Sequence, residues 1–221
     1  MQQWVEIKMT KNSKFNFIYK DALEYVAYGL ASVFVLWLFD FEFLSLVVLA
    51  ATLVYAYIFR QPDIFFNYAK EKSVLAPVEG QIVAITPLED ALFGYEVKIE
   101  GTSKTESILR VPLQNATVKE CSITNGTRLS RKSKLFTLLN EYATVMFQDK
   151  EGNSVFINHR LKQSIVGVSL EVKEGSTREQ SDVYGVAFNA VTTLYLPHNF
   201  HFEVQSGDDV YCAQTILGYF E

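Results

Sequence analysis

A mainly β domain behind an N-terminal α-helical membrane hairpin is the architecture that the 221-residue sequence predicts. Three observations lead there. One apolar block, Val26–Phe59, is interrupted once, by Asp40-Phe41-Glu42. Beyond about residue 73 the chain breaks into short alternating segments separated by Gly, Asn, Asp and Pro turn signals. Only 5 Pro and 11 Gly in a chain that is 49% hydrophobic leave no room for a long disordered tract. The segments are a basic N-terminal stretch, 1–24, a hydrophobic hairpin, 25–60, and a β domain, 61–221.

As one helix the apolar block would run about 51 Å, far beyond a bilayer core of about 30 Å. Asp40 and Glu42 near its middle would also be costly in hydrocarbon. A hairpin with the acidic pair at its turn removes both problems, and its arms are short enough that a shallow re-entrant insertion competes with a full span. A secretory signal peptide would end in a small-residue cleavage site, whereas this block runs on into a second apolar arm. Lys8, Lys11, Lys14 and Lys20 precede the first arm, and Arg60, Lys70 and Lys72 follow the second. Cationic flanks stay cytoplasmic, which predicts the inner membrane as location with the β domain on its cytoplasmic side. Tyr55, Tyr57, Phe59, Phe65, Phe66 and Tyr68 suit a headgroup-level belt, and equally a packing seam.

Expected strands are Gln81–Ile85, Tyr95–Glu100, Ser107–Val111, Thr117–Ile123, Thr144–Phe147, Ser154–Asn158, Ser164–Val172, Thr192–Leu196 and Phe202–Val204, with a short helical or irregular insertion at Leu135–Glu141. Two turns look alike, Glu174–Arg178 and Ser206–Val210. With Ala76–Val83 they resemble a lipoyl-like β-barrel or sandwich, a likeness of fold alone.

A net charge of -5 argues against nucleic acid as a partner. Cys121 and Cys212 are too few for a disulfide framework or metal site and read as small core residues. His198 and His201 stand three apart without further ligands nearby, so no metal is expected.

The order of motifs resembles the short form of the pyruvoyl-dependent phosphatidylserine decarboxylase family. Ile58-Phe59-Arg60-Gln61-Pro62-Asp63 matches the family's Phe-Phe-Arg-Asp-Pro signature after its membrane hairpin. Ala76-Pro77-Val78-Glu79-Gly80 is similar to Ser-Pro-Ala-Asp-Gly, and Pro112–Lys119 to Pro-Leu-Asp-Val-His-Val-Asn-Arg. Asn140-Glu141-Tyr142-Ala143 echoes Asn-Glu-Arg-Asn, and Gly185–Val191 the Gly-x-x-x-Phe-Gly-Ser-Arg cleavage segment. Leu194-Tyr195-Leu196-Pro197 and a Gly-Asp-x-Val turn at Gly207–Val210 complete the series.

The resemblance implies a mechanism in which a serine attacks the carbonyl of the preceding glycine, the chain breaks, and the serine becomes the pyruvoyl group that accepts electrons during decarboxylation. A carboxylate and a histidine assist it, as in a hydrolase triad. Carried over by motif, the serine falls on Ala190, the glycine on Asn189, the histidine on Ala116 and the aspartate on Glu79. A methyl group cannot become a pyruvoyl carbonyl, so that cofactor is not expected. Glu79, Ala116, Asn189, Ala190 and His159 are left as candidates for a ligand pocket. Gly175-Ser176, the only Gly-Ser pair, reads as a turn before it reads as a displaced cleavage site. Thr192 and Thr193 read as strand residues, and His159 beside Arg160 as a packing histidine that competes with a catalytic reading.

The expected function is that of a non-catalytic relative that binds membrane phospholipid or a partner protein. The alternatives are a decarboxylase working with non-standard residues and a regulatory or assembly subunit of a true decarboxylase. A homo-oligomer or a decarboxylase subunit is the protein partner these readings admit.

Overall fold

The computed structural model describes residues 20–60, 72–101 and 108–221. Lys8, Lys11, Lys14 and Lys70, the aromatic residues Phe65, Phe66 and Tyr68, Ser107, and Gln61-Pro62-Asp63 of the first motif lie outside the described residues. The chain divides into two compact units, Met1–Pro62 and Asp63–Glu221.

In the first unit, α1 (Lys20–Leu38) and α2 (Glu42–Ile58) form an antiparallel helical pair. Asp40 takes a left-handed backbone conformation (φ 60°) in the turn, where the polar break in the sequence falls. The hydroxyls of Ser32, Ser45 and Thr52 each donate to a carbonyl of their own helix, so none needs water. Gly29 lets the helices touch: a Cβ there would collide with Thr52 Oγ1 and lie 3.2 Å from its Cβ. Small residues at a crossing allow this approach. That separation lies just below the Cβ–Cβ range of about 3.5–4.5 Å in disulfides, so a small outward shift of the helices would accommodate the bridge. A Gly29→Cys/Thr52→Cys double variant is therefore expected to form an intramolecular bridge on mild oxidation, read as thiol protection by mass spectrometry. Four free thiols after oxidation, the native Cys121 and Cys212 among them, would refute the pairing.

No helix among the described residues is long and apolar enough to cross a membrane, which corrects the transmembrane reading of the hairpin. Lys20, Asp21 and Glu24 occupy the first turns of α1 and leave an apolar stretch of about 21 Å. The 17 residues of α2 rise about 26 Å, Glu42 included. Both fall short of a core of about 30 Å.

The second unit carries β1 (Ser73–Leu75), β2 (Gly80–Pro87), β3 (Tyr95–Glu100), β4 (Ile108–Arg110), β5 (Ala116–Thr124), α3 (Phe136–Leu139), β6 (Tyr142–Gln148), β7 (Ser154–Leu161), β8 (Ser169–Leu170), β9 (Thr177–Arg178), β10 (Val183–Val186), β11 (Ala190–Leu196), β12 (Phe200–Phe202), β13 (Asp209–Val210) and β14 (Ile216–Phe220). An eight-stranded antiparallel sheet has the order β13-β2-β3-β11-β7-β6-β5-β9, and two three-stranded sheets, β1-β14-β12 and β4-β10-β8, complete the unit. Alternation sets the core face. Val155, Ile157, His159 and Leu161 point inward from β7, Thr192, Leu194 and Leu196 from β11, and Ala143, Val145 and Phe147 from β6.

The eight-stranded sheet repeats itself about its central β11–β7 pair. The alike turns found in the sequence end as equivalent two-residue edge strands. Gly175 donates its N–H to Val118 and receives Val118 N–H on the next residue's carbonyl, while Gly207 does the same with Ile82. Both glycines have positive φ, 78° and 100°, and the facing strands β5 and β2 each carry a bulge just past the contact. The edge strands β9 and β13 do not pair with each other, so the sheet stays open and the closed-barrel reading is corrected.

Three other expectations change. Only Ser169–Leu170 of the expected Ser164–Val172 strand is extended and paired. Ser164 Oγ bonds Val166 O, and Val168 N–H is taken by the Glu141 carboxylate, so side chains replace the ladder there. The last expected strand shifts to Phe200–Phe202. β1, β9, β10, β13 and β14 go unanticipated because they are short or interrupted by glycine.

Candidate functional site

Residues at one end of the eight-stranded sheet build the site. Ala190 opens β11 opposite Leu161, the last residue of β7. Val191 faces Glu100 at the end of β3, which in turn faces Gln81 of β2. Glu79, half-buried just before β2, thus lies at the same end as Ala190. Ala116 does not. It opens β5 beside Arg178, in the part of the ladder that runs through Gln148 to Ser154, at the other end of β7 from Leu161. By register, then, Glu79 and Ala190 share an end and fully buried Ala116 does not.

The turn into β11 has a backbone shape that glycine adopts readily. Asn189 adopts φ 53°, a left-handed conformation suited to glycine and, among other residues, to asparagine. Its carbonyl accepts the N–H of Lys162 at 2.8 Å. Next comes the Ala190 methyl, where cleavage chemistry would need a hydroxyl.

The nearest hydroxyl along the strand is Thr192, two residues on and on the same face. His159 stands directly opposite it, with Nδ1 2.8 Å from Thr192 Oγ1 and Nε2 2.7 Å from Tyr184 Oη. Histidine and tyrosine are fully buried and threonine nearly so. Burial pushes the His159 pKa down to about 3 and that of Tyr184 well above its ordinary value. The imidazole is therefore neutral and donates one hydrogen bond while accepting the other. A His–hydroxyl contact has the outward form of an activated nucleophile. Thr192, however, lies in a strand paired on both sides, with β3 and β7, and its Oγ1 faces the imidazole of the neighbouring strand. Thr193 points to the opposite face of the same strand.

Two further clusters at this end were not singled out from the sequence. Lys162 and Arg131 both pair with the Glu100 carboxylate on the outer face. Asn140 and Glu141 hold the 127–129 loop. Asn140 accepts from Thr127 Oγ1 and Leu129 N and donates to Leu129 O and Leu161 O, while Glu141 binds Arg128 at 2.9 and 3.0 Å and Val168 N at 2.8 Å. The motif Asn140-Glu141 was visible in the chain. Its role as a buried clamp was not.

Ser176 donates its hydroxyl to Lys173 O at 2.6 Å in an exposed turn. His198 Nε2 lies 2.8 Å from Asp90 O, and His201 pairs with Glu221, so the two histidines serve different contacts. A pocket of about 280 Å³ lies at the far end of the sheet, between Gln114-Asn115 and Asp149–Glu151, and does not include Ala190.

Comparison with known proteins supplies the relatives. No family model matches the chain. The phosphatidylserine decarboxylase proenzyme of Syntrophotalea carbinolica is 26% identical over 180 residues, covering 79% of this chain and 83% of that protein. The proenzyme of the same name from Geobacter metallireducens is 24% identical over 182 residues, covering 80% and 83%. The chain is a homologue of the phosphatidylserine decarboxylases. The motif order of the sequence makes Asn189-Ala190 the expected position of that family's Gly-Ser pair.

Proposed function

We propose that this decarboxylase homologue forms no pyruvoyl group and acts as a non-catalytic phospholipid- or partner-binding protein at the inner face of the membrane. The observation that carries the reading is Ala190. The turn before it has a left-handed backbone that suits glycine and the strand after it pairs in regular register, yet the side chain that would become the cofactor is a methyl group. Neighbours cannot restore an absent oxygen. The nearest substitute hydroxyl, Thr192, faces His159 inside the core.

Membrane attachment fits the first unit. Phe43, Leu46 and Trp37 are each at least 60% exposed on the helical pair, an apolar surface that water disfavours. Helices of this length suit shallow insertion into one leaflet, with Asp40 and Glu42 at the turn. Within the second unit Glu79, Asn189, Ala190 and His159 mark the end at which a ligand would be sought, and Ala116 the position of the missing histidine.

Intact mass spectrometry of the denatured full-length chain tests the reading. One unmodified species at 25.2 kDa is expected. Two fragments, the second beginning at Ser176, Thr192 or Thr193 with a blocked keto terminus, would establish a relocated cleavage site and overturn the reading.

A further inference from the structure

The sheet end that carries Ala190 also carries a loop whose chemistry the proposed function has not used. Residues 125–141 connect β5 to β6. Between 125 and 140 the sequence holds Arg128, Arg131, Lys132 and Lys134 and no acidic residue, in a chain whose net charge is -5. Arg128 is committed to Glu141 and Arg131 to Glu100, which fixes the loop on the sheet end. Lys132 and Lys134 are exposed and make no ion pair among the described residues. Beside them α3 turns Phe136 into the protein and leaves Leu135, Leu138 and Leu139 at 47%, 75% and 42% exposure. Ile165, 67% exposed, joins them from the neighbouring 162–168 loop, which is tied to this one by Gln163 N–H to Arg128 O.

Exposed leucines ringed by unpaired lysines match one environment well: a bilayer surface with anionic headgroups, where apolar side chains enter the acyl boundary and ammonium groups stay at phosphate level. An acidic protein would satisfy the lysines, and a hydrophobic protein groove the leucines. A lipid surface offers both at the spacing of one helical turn. We infer that the 125–141 loop, with Leu138 at its tip and Lys132 and Lys134 at its rim, docks onto anionic phospholipid and turns the Asn189–Ala190 end of the sheet toward the membrane. The inference deepens the proposed function and rests on the chain being held at a phospholipid surface.

The test uses the full chain with an environment-sensitive fluorophore on Leu138→Cys, in a Cys121→Ser background where the remaining Cys212 is buried. A second labelled variant, Leu92→Cys, reports the opposite end of β3, where Leu92 is 71% exposed. Each is mixed with phosphatidylcholine vesicles, with and without phosphatidylglycerol. The expected result is a blue shift at position 138 with phosphatidylglycerol only, and none at position 92. Lys132→Gln with Lys134→Gln should weaken the bound state of the probe roughly thirtyfold. If the chain floats with vesicles while the 138 probe keeps its aqueous spectrum, the docking loop is wrong and membrane attachment stands. If the chain floats with no vesicle, both fail. A shift without vesicles that grows with protein concentration would assign the surface to a protein partner instead.

Discussion

Replacing Asn140 by alanine should cost the β domain about 3 kcal/mol, from a net contribution of about 0.75 kcal/mol for each of its four hydrogen bonds. The side chain makes four bonds in a 2%-exposed position, and both of its ends are used. Leu161 O, one of its partners, belongs to a fully buried residue that water cannot reach to compensate. The loop it holds carries Arg128 and Arg131, and the strand end it holds faces Ala190. The substitution should therefore lower the melting temperature by about 6–12 °C for a unit of this size. It should also raise proteolytic nicking between Asn125 and Leu135. Asn140→Asp separates geometry from packing: Oδ1 keeps its two donors, while the bonds to Leu129 O and Leu161 O are lost and a carboxylate faces two carbonyls. A melting temperature unchanged in Asn140→Ala would mean that the clamp is not holding the loop.

What the sequence disclosed and what it hid follow from the range of the interactions involved. The helical pair was legible because Asp40 and Glu42 interrupt an otherwise continuous apolar run. The inward face of β7 was legible for the same local reason, since Ser154–Leu161 alternates cleanly and puts His159 in line with Val155, Ile157 and Leu161. Its partners were not, because Thr192 lies 33 residues away and Tyr184 25. Nothing in the alternation of β7 says which hydroxyls face it. The edge strands β9 and β13 escaped because two residues carry no period, although the glycine turns before them were seen. Ser164–Val172 misled because its apolar residues suggest a strand, whereas Glu141, 27 residues earlier, claims the Val168 amide. Motif order carried the family, and it put Ala116 beside Glu79 and Ala190 in role. Strand register separates it from them, and His159 is the histidine that shares their end of the sheet.

Acid should destabilise the protein between about pH 6.5 and pH 3, and His159 should be a principal reason. The unfolded chain takes up a proton on this imidazole near the ordinary pKa of about 6.5, whereas the folded chain resists until about 3. Across that window the unfolded state holds the extra proton, so stability falls as pH falls, by about 1.4 kcal/mol per unit. From pH 7.5 to pH 5 the loss is about 2 kcal/mol, large against a total of about 5–15. The groups around the ring offer no compensation: Thr192 and Ala143 flank it in the ladder, Tyr184 caps Nε2, and Phe147 packs edge-on against that tyrosine. His159→Leu alone would strand the Thr192 and Tyr184 hydroxyls and is expected to lower stability at pH 7.5. The triple variant His159→Leu/Tyr184→Phe/Thr192→Val removes donor and acceptor together and should stay near wild type at pH 7.5. Urea unfolding at pH 7.5 and pH 5 distinguishes the cases, with the triple variant expected to lose the 2 kcal/mol dependence. If it keeps that dependence, the acid sensitivity belongs to other groups, and His159 is open to solvent protons in the folded chain. A histidine reached by solvent protons would return as a candidate for chemistry beside Ala190, whereas one that stays neutral to pH 3 is a packing residue that orders the end of the sheet where a ligand would bind.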